Sequence, residues 1–245
     1  MGDISGGVAT TSIEHSGLDH AYGLCERTAA GFLAEPLNAL TSFLFLFVGL
    51  ALVRFYRKQP KLHGKIIWDV QLLLGLVFCI GAASLTFHTM PGEYTELADI
   101  AFIVIFINVY FFSAMFRIAH CNWFQTIVCY LAYAGSTYML VHQFPHAFND
   151  SIGYLSSMTA LIMIALYLNM KRRPSSRMFL LAALTGVISL FLRSVDNAVC
   201  GILPTGTHFL WHGCNALLVY LLMQQLIRNV NRRERLLQMA NSHFA

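Results

Sequence analysis

Residues 66–88 read IIWDVQLLLGLVFCIGAASLTFH, an apolar run with Asp69 and Gln71 near its start and Ser84, Thr86 and His88 at its end. About 20 residues at 1.5 Å per residue cross a hydrocarbon core of about 30 Å, so the run predicts a helix that spans a bilayer. A membrane strand would be about 10 residues long with alternating polarity, and this run has neither property. Six further stretches of similar length and character follow the same pattern, at 36–56, 97–116, 122–141, 151–170, 178–195 and 206–227. The expected fold is therefore an all-α integral membrane protein with seven transmembrane helices. A polar extracytoplasmic segment (1–35) precedes the seven-helix domain (36–227), and a basic tail (228–245) follows it.

The composition agrees. The 245 residues are 57% hydrophobic and only 11% charged, with a mean hydropathy of +0.60. Soluble domains carry about 25% charged residues, which excludes a water-soluble globule of this size. A disordered tail protein, a coiled coil and a nucleic-acid binder each need far more charge. Six cysteines without a CxxC pair are too few for a disulfide scaffold. No basic stretch precedes a short apolar core at the start, so no cleavable signal peptide is expected.

Charge placement gives orientation. With the N-terminus outside, fourteen of the sixteen Lys and Arg fall on the inner side, in the connections around Arg54–Lys65, at Arg117, around Lys171–Arg177, and in the tail from Arg228 to Arg235. Arg27 and Arg193 remain outside. Ten of the twelve acids fall on or near the outer side, the exceptions being Asp69 and Glu234. The expected topology is N-terminus out, C-terminus cytoplasmic.

Ionisable groups within apolar helices are costly and usually face a cavity. Here Ser84 and His88 end the second stretch, Asp99 opens the third beyond a Pro91-Gly92 turn, and His208 and His212 open the seventh. All five fall at the outer ends of their helices. Residues i and i+4 share a helix face, so His208 and His212 can converge on one metal ion, as can Ser84 and His88 on a shared site. Three imidazoles and a water form the open tetrahedral arrangement of catalytic zinc. Position 209 is Phe, where a His-Glu-x-x-His metalloprotease carries its base, so Asp99 is the nearest candidate base, and Ser84 could donate to a developing oxyanion. Plainer roles stand beside these: an interfacial hydrogen-bonded histidine pair, Asp99 as a partner of Arg193 or Tyr94, and Ser84 bonded back to its own helix.

In these residues the chain resembles the alkaline ceramidase family, within the seven-helix membrane hydrolases that include the adiponectin and progestin receptors. The pieces are Cys25-Glu26, Ala34-Glu35 with Asn38 and Ser42, Ser84-x3-His88, Asp99, Asp196-Asn197 with Cys200, and His208-x3-His212. The resemblance implies a zinc amidase that cleaves the N-acyl bond of ceramide to a fatty acid and a sphingoid base. His88, His208 and His212 would hold Zn2+, Asp99 would act as general base and acid, and Ser84 would steady the oxyanion. It also implies Ca2+ bound at Glu26 and Glu35, although Gly23, Leu24 and Thr28 depart from that family's calcium motif. A Cys25–Cys200 disulfide is implied as well, both residues falling on the outer side where oxidation is permitted.

The implied partners are a ceramide-like membrane lipid and the bilayer itself, with no nucleic acid and no obligate protein partner. The implied location is a bacterial inner membrane or a eukaryotic plasma or organelle membrane, with the site toward the extracytoplasmic side. A zinc-containing lipid receptor, a related hydrolase of another lipid amide or ester, and a bis-histidine haem protein are the alternatives.

Overall fold

The structure is a computed structural model that describes residues 24–28, 31–60, 62 and 64–242. Positions 1–23 of the expected N-terminal segment, with His15 and His20, and position 63 lie outside the described residues. Helices dominate. α1 (Pro36–Arg57) starts at a proline, whose fixed φ and missing N–H suit a first turn, and ends with Arg54 and Arg57 near its C-terminal dipole. α2 (Trp68–Thr89) stops just before Pro91. α3 (Glu93–Ala114) carries Glu93 and Glu96 in its first turn and runs into a π-turn, Met115–Ala119, closed by His120 in the left-handed region (φ 59°).

α4 (Trp123–Gln143) opens on a capping box in which Asn122 and Gln125 exchange side-chain and backbone bonds. The four-residue α5 (Ala147–Asp150) contains Phe148 and Asn149 at left-handed angles, so it is a turn and not a helical rod. α6 (Gly153–Met170), α7 (Ser176–Val199) and α8 (His208–Ser242) complete the chain.

Seven of these helices coincide with the seven apolar stretches. Five, namely α1, α2, α3 with its π-turn, α6 and α7, are long and apolar enough to cross a membrane. α4 and α8 differ for chemical reasons. α4 carries three tyrosines with Gln125, Thr126, Ser136 and Thr137, and α8 carries His208, His212 and Asn215 before continuing unbroken through Arg228–Arg235. The protein is thus a multi-pass membrane protein, and residues 228–242 of the basic tail continue the last helix.

The helices pack in the order α3, α2, α1, α8, α7, α6, α4. α1 and α2 approach closely because Gly49 and Gly81 face each other's helix. A Cβ on Gly81 would lie 2.9 Å from Leu46, and one on Gly49 would lie 2.8 Å from Phe78, the small-residue contact that apolar helices use in lipid. Leu73, Val77 and Ile80 of α2, Phe179 of α7, and Met223 and Leu226 of α8 fill the core. At the end of α2 away from His88, Arg117 forks onto Asp69 (2.7 and 2.8 Å), to which Ser113 also donates (2.9 Å).

α4 buries little of its surface. It packs on α6 and sets Trp123, Tyr130 and Tyr133 against Phe111, Phe112 and Phe116 of α3 and its π-turn, and Thr126 is its one buried residue among those described. Between α3 and α4 lies a cavity of about 630 Å³, reaching from Val104 and Tyr138 inward to Asp99, Arg193 and His208.

Candidate metal centre

His88, at the end of α2, and His208 and His212, in the first turns of α8, bring one ring nitrogen each to within 4.8 Å of one another, all three buried. This is the one cluster of three or more such ligands among the described residues. His88 Nε2 and His212 Nε2 are 3.2 Å apart. Two ligands at about 2.05 Å and a tetrahedral angle would sit about 3.3 Å apart, so the spacing fits a shared zinc ion.

The outer atoms of the rings fix their orientation. His88 Nδ1 lies 2.5 Å from Glu35 Oε2, and His212 Nδ1 lies 2.9 Å from Thr41 Oγ1. The Thr41 hydroxyl donates to the carbonyls of Leu37 and Asn38, so its oxygen is free to accept from His212. An acceptor at Nδ1 places the proton there and leaves the Nε2 lone pair facing inward, as metal-binding histidines require. His208 differs. Its Nδ1 faces a donor, Arg193 Nη1, at 2.9 Å, which puts the ring's lone pair on the arginine side. Coordination through Nε2 requires that bond to be given up.

Two buried oxygens nearby lack hydrogen-bond partners, Asp99 Oδ1 and Asn38 Oδ1. Buried polar atoms are normally satisfied, so each is an acceptor open to a water or a ligand. Asp99 is coupled electrostatically to His88 and Arg193 and lies by the Ser84 hydroxyl. Ser84 Oγ in turn lies 3.0 Å from Ser42 Oγ. The five residues expected from the sequence therefore meet at one place, and their donor set fits zinc.

Around them is a shell in which the sequence reading gave roles only to Glu26 and Glu35, as calcium ligands or as partners of Arg27. Glu35 is fully buried, paired with Arg27, and accepts from Asn38 Nδ2 at 3.0 Å. Burial alone would push its carboxyl up, but the hydrogen bond and charge of His88, with Asn38 and Arg27, outweigh that and hold it below the ordinary value. Glu26 accepts from the backbone N–H groups of Leu37 (2.7 Å) and Asn38 (2.9 Å), capping α1. Both oxygens of Glu26 and of Glu35, the residues the resemblance assigned to Ca2+, accept hydrogen bonds, from Arg27, His88, Asn38 and the α1 backbone.

Asp196, completely buried, does the same for α8. Its Oδ1 accepts from Thr207 N (2.6 Å) and His208 N (2.9 Å), and its Oδ2 accepts from Cys25 N (3.2 Å). The Cys25–Cys200 disulfide, whose ends are 175 positions apart in sequence, ties the N-terminal segment to the turn before α8. Gly206 closes that turn at φ +62°, where a Cβ would lie 2.1 Å from Asp196 Oδ1 and 2.7 Å from Cys25 Cβ. The signal for Asp196 and Arg193 was present in the sequence as two ionisable groups in an apolar stretch.

His142 and His146 are not brought together. Pro145 lies between them beyond the end of α4, and His146 pairs instead with Asp150 at 2.9 Å.

No curated protein and no solved structure matches the chain. A family model does match it, over residues 28–230, and it is that of the Per1-like family. The resemblance to alkaline ceramidases and to the adiponectin and progestin receptors is thereby corrected, and hydrolysis of the ceramide N-acyl bond, which rested on it, falls with it. The physical reason is that Ser-x3-His, Asp and His-x3-His at matched depth specify a metal-site geometry, and a geometry of that kind does not name a substrate. Covered over most of its length by that match, the chain belongs to the Per1-like family.

Proposed function

We propose that the protein is a membrane-embedded, metal-dependent acyl hydrolase that cleaves an ester in the lipid part of a membrane anchor or phospholipid. The observation that carries this reading is the cluster of His88, His208 and His212 beside a cavity between α3 and α4, which His208 and Asp99, with its orphaned oxygen, line. Members of the Per1-like family are lipid-remodelling, GPI-related membrane proteins, which favours an ester of a lipid anchor as the bond attacked.

Zinc held by the three histidines would supply a Lewis acid that polarises a carbonyl and makes water acidic near pH 7. Glu35 and Thr41 orient His88 and His212. Asp99 Oδ1, free of a partner, takes a proton from the attacking water and returns it to the leaving alcohol as the acyl C–O bond breaks. The Ser84 hydroxyl, held by Ser42, donates to the developing oxyanion. Tyr133, Ala134 and Thr137 of α4, with Ile103 and Ile107 of α3, give the acyl chains an apolar path from the lipid.

The topology belongs to the same proposal. α4 and α8 cross the membrane with the other five helices, the N-terminus is outside, and the Lys- and Arg-rich ends are inside. The metal centre then lies at outer-leaflet depth, beside the disulfide.

The test is mass-spectrometric detection of fatty acid released by the purified, zinc-loaded protein from a panel of phospholipids, lipid anchors and acyl amides. Wild type runs beside His212→Ala. Acyl release from an ester that vanishes in the variant is expected. Release from none of the esters would overturn the hydrolase reading.

A further inference from the structure

Arg193 is the least explained charge in the molecule. It lies in α7, within a stretch apolar enough to span a membrane, and lines the cavity beside the metal centre. Its Nη1 bonds His208 Nδ1 at 2.9 Å, its Nε donates to Ser151 Oγ at 3.2 Å, and its Nη2 has no hydrogen-bond partner among the described residues. The guanidinium sits 5.9 Å from the Trp211 ring centre, which sets the plane of its fork.

A guanidinium at this depth is costly without a counter-charge, and the neighbouring acids do not provide one at contact. Asp196 is saturated by three backbone N–H groups. Asp150 pairs with His146. Asp99, whose Oδ1 is unpartnered, forms no ion pair with Arg193. No carboxylate lies within ion-pair distance of Arg193 among the described residues, although Asp99, Asp150 and Asp196 all contribute to its field. A divalent ion at the histidines would place a second positive charge one imidazole ring away. The pair of cations then calls for an anion between them and the cavity.

We propose that Arg193 is the phosphate-binding residue of this cavity, holding the phosphodiester of a glycerophospholipid while its acyl ester lies against the histidines. Arg's planar fork matches two phosphate oxygens, and its free Nη2 is the donor available without rearrangement. Transfer of Nη1 from His208 to the phosphate would also release the His208 ring for coordination, so headgroup recognition and completion of the metal centre share one side chain. In a glycerophospholipid a few bonds separate the phosphate from the nearer ester, which suits an arginine one ring away from the ligands. Ceramide and diacylglycerol carry no such charge and would leave Arg193 unanswered.

This assignment rests on the lipid-hydrolase reading for its substrate, so its test reads binding and turnover separately. The full chain, zinc-loaded in detergent, is mixed with short-chain phosphatidylinositol or with the matched diacylglycerol, and retained lipid is counted by native mass spectrometry. Inorganic phosphate is added as competitor in a third arm. Wild type should retain the phospholipid about tenfold better than the neutral lipid, as one charged, bidentate hydrogen-bonded contact implies. Arg193→Gln should lose that preference while holding diacylglycerol as before, and Arg193→Lys should fall between.

Equal retention of the two lipids by wild type overturns the assignment, whatever the variants do. An unchanged preference in a folded Arg193→Gln overturns it too. Displacement by inorganic phosphate as readily as by the phospholipid would reassign the site to a free anion. If the preference is lost in Arg193→Gln but no ester is ever hydrolysed, the phosphate site stands and the hydrolase reading fails. Ester release with no phospholipid preference sinks the phosphate site alone.

Discussion

The two sides of the helix ring are built differently. On one side, α1, α2, α7 and α8 pack closely, with Gly49 and Gly81 admitting near contact. On the other, α4 touches α6 and the phenylalanines at the end of α3, buries one residue, and leaves a cavity toward the start of α3. The three histidines and the groups that orient two of them sit on the packed side, Glu35, Thr41, His88, His208 and His212 coming from α1, its entry turn, α2 and α8, while Asp99 comes from α3. The difference teaches that a metal centre needs its ligands fixed to a fraction of an ångström, whereas a lipid that arrives from the bilayer needs a wall that yields. On the proposed function, one ring of helices meets both demands by concentrating its packing.

The largest expected effects are therefore on the packed side. His88→Ala or His212→Ala should lose bound zinc and more than about a hundredfold of acyl release, with the helices retained; elemental analysis of the purified protein beside circular dichroism reads both. Full zinc in His212→Ala would remove the metal centre from this place. Next comes Glu35→Gln. It keeps the shape but weakens the acceptor at His88 Nδ1 and strands Arg27, so zinc affinity should fall about 10- to 100-fold. Titration with a competing chelator measures that change, and an unaltered affinity would show that Glu35 serves Arg27 alone.

The covalent tie ranks below these. Cys200→Ser opens a link across 175 residues and should cost about 2–4 kcal/mol, read as a lower melting temperature and increased protease sensitivity near α8. Gly206→Ala should destabilise the same turn by about 1–3 kcal/mol, since it combines a left-handed φ with a Cβ in contact with Asp196. Both changes loosen the start of α8 and should weaken zinc binding before they unfold the bundle. If they lower the melting point and leave zinc affinity untouched, α8 is positioned by its core and not by its cap.

The packed side was the more legible in sequence. Apolar runs of bilayer length define helices without any tertiary knowledge, and i, i+4 spacing places His208 and His212 on one face. Ser84, His88 and Asp99 followed from depth alone. What spacing could not carry was the pairing of distant polar groups. Glu35 orients His88 from 53 residues away, and Asp196 caps a helix that starts twelve residues later, so each is defined by packing. The same limit explains the misassigned family. Local motifs encode ligand geometry, while the lipid recognised depends on the cavity wall, to which α4 contributes residues such as Tyr133, Ala134 and Thr137 that carry no chemical signature in the sequence. Nothing in an apolar stretch told α4, as a loose wall, from α1, as a scaffold.

That wall gives the finest test of the contrast. Leu131 is 63% exposed on α4 and lies outside the cavity lining, whereas Ala134, one turn on, faces the cavity. Leu131→Ala removes side-chain surface that already faces lipid, so neither stability nor turnover should change by more than about 0.5 kcal/mol. Ala134→Trp adds a large ring where an acyl chain would pass. Because α4 buries so little, the bundle should accept the ring with its melting temperature and zinc content intact, while KM for a long-chain lipid rises and that for a short-chain one does not. Such a split requires the lipid to travel past α4. Equal losses on both chain lengths, or a drop in melting temperature as large as that of Gly206→Ala, would mean that α4 is as firmly packed as α1 and that the lipid reaches the histidines by another route.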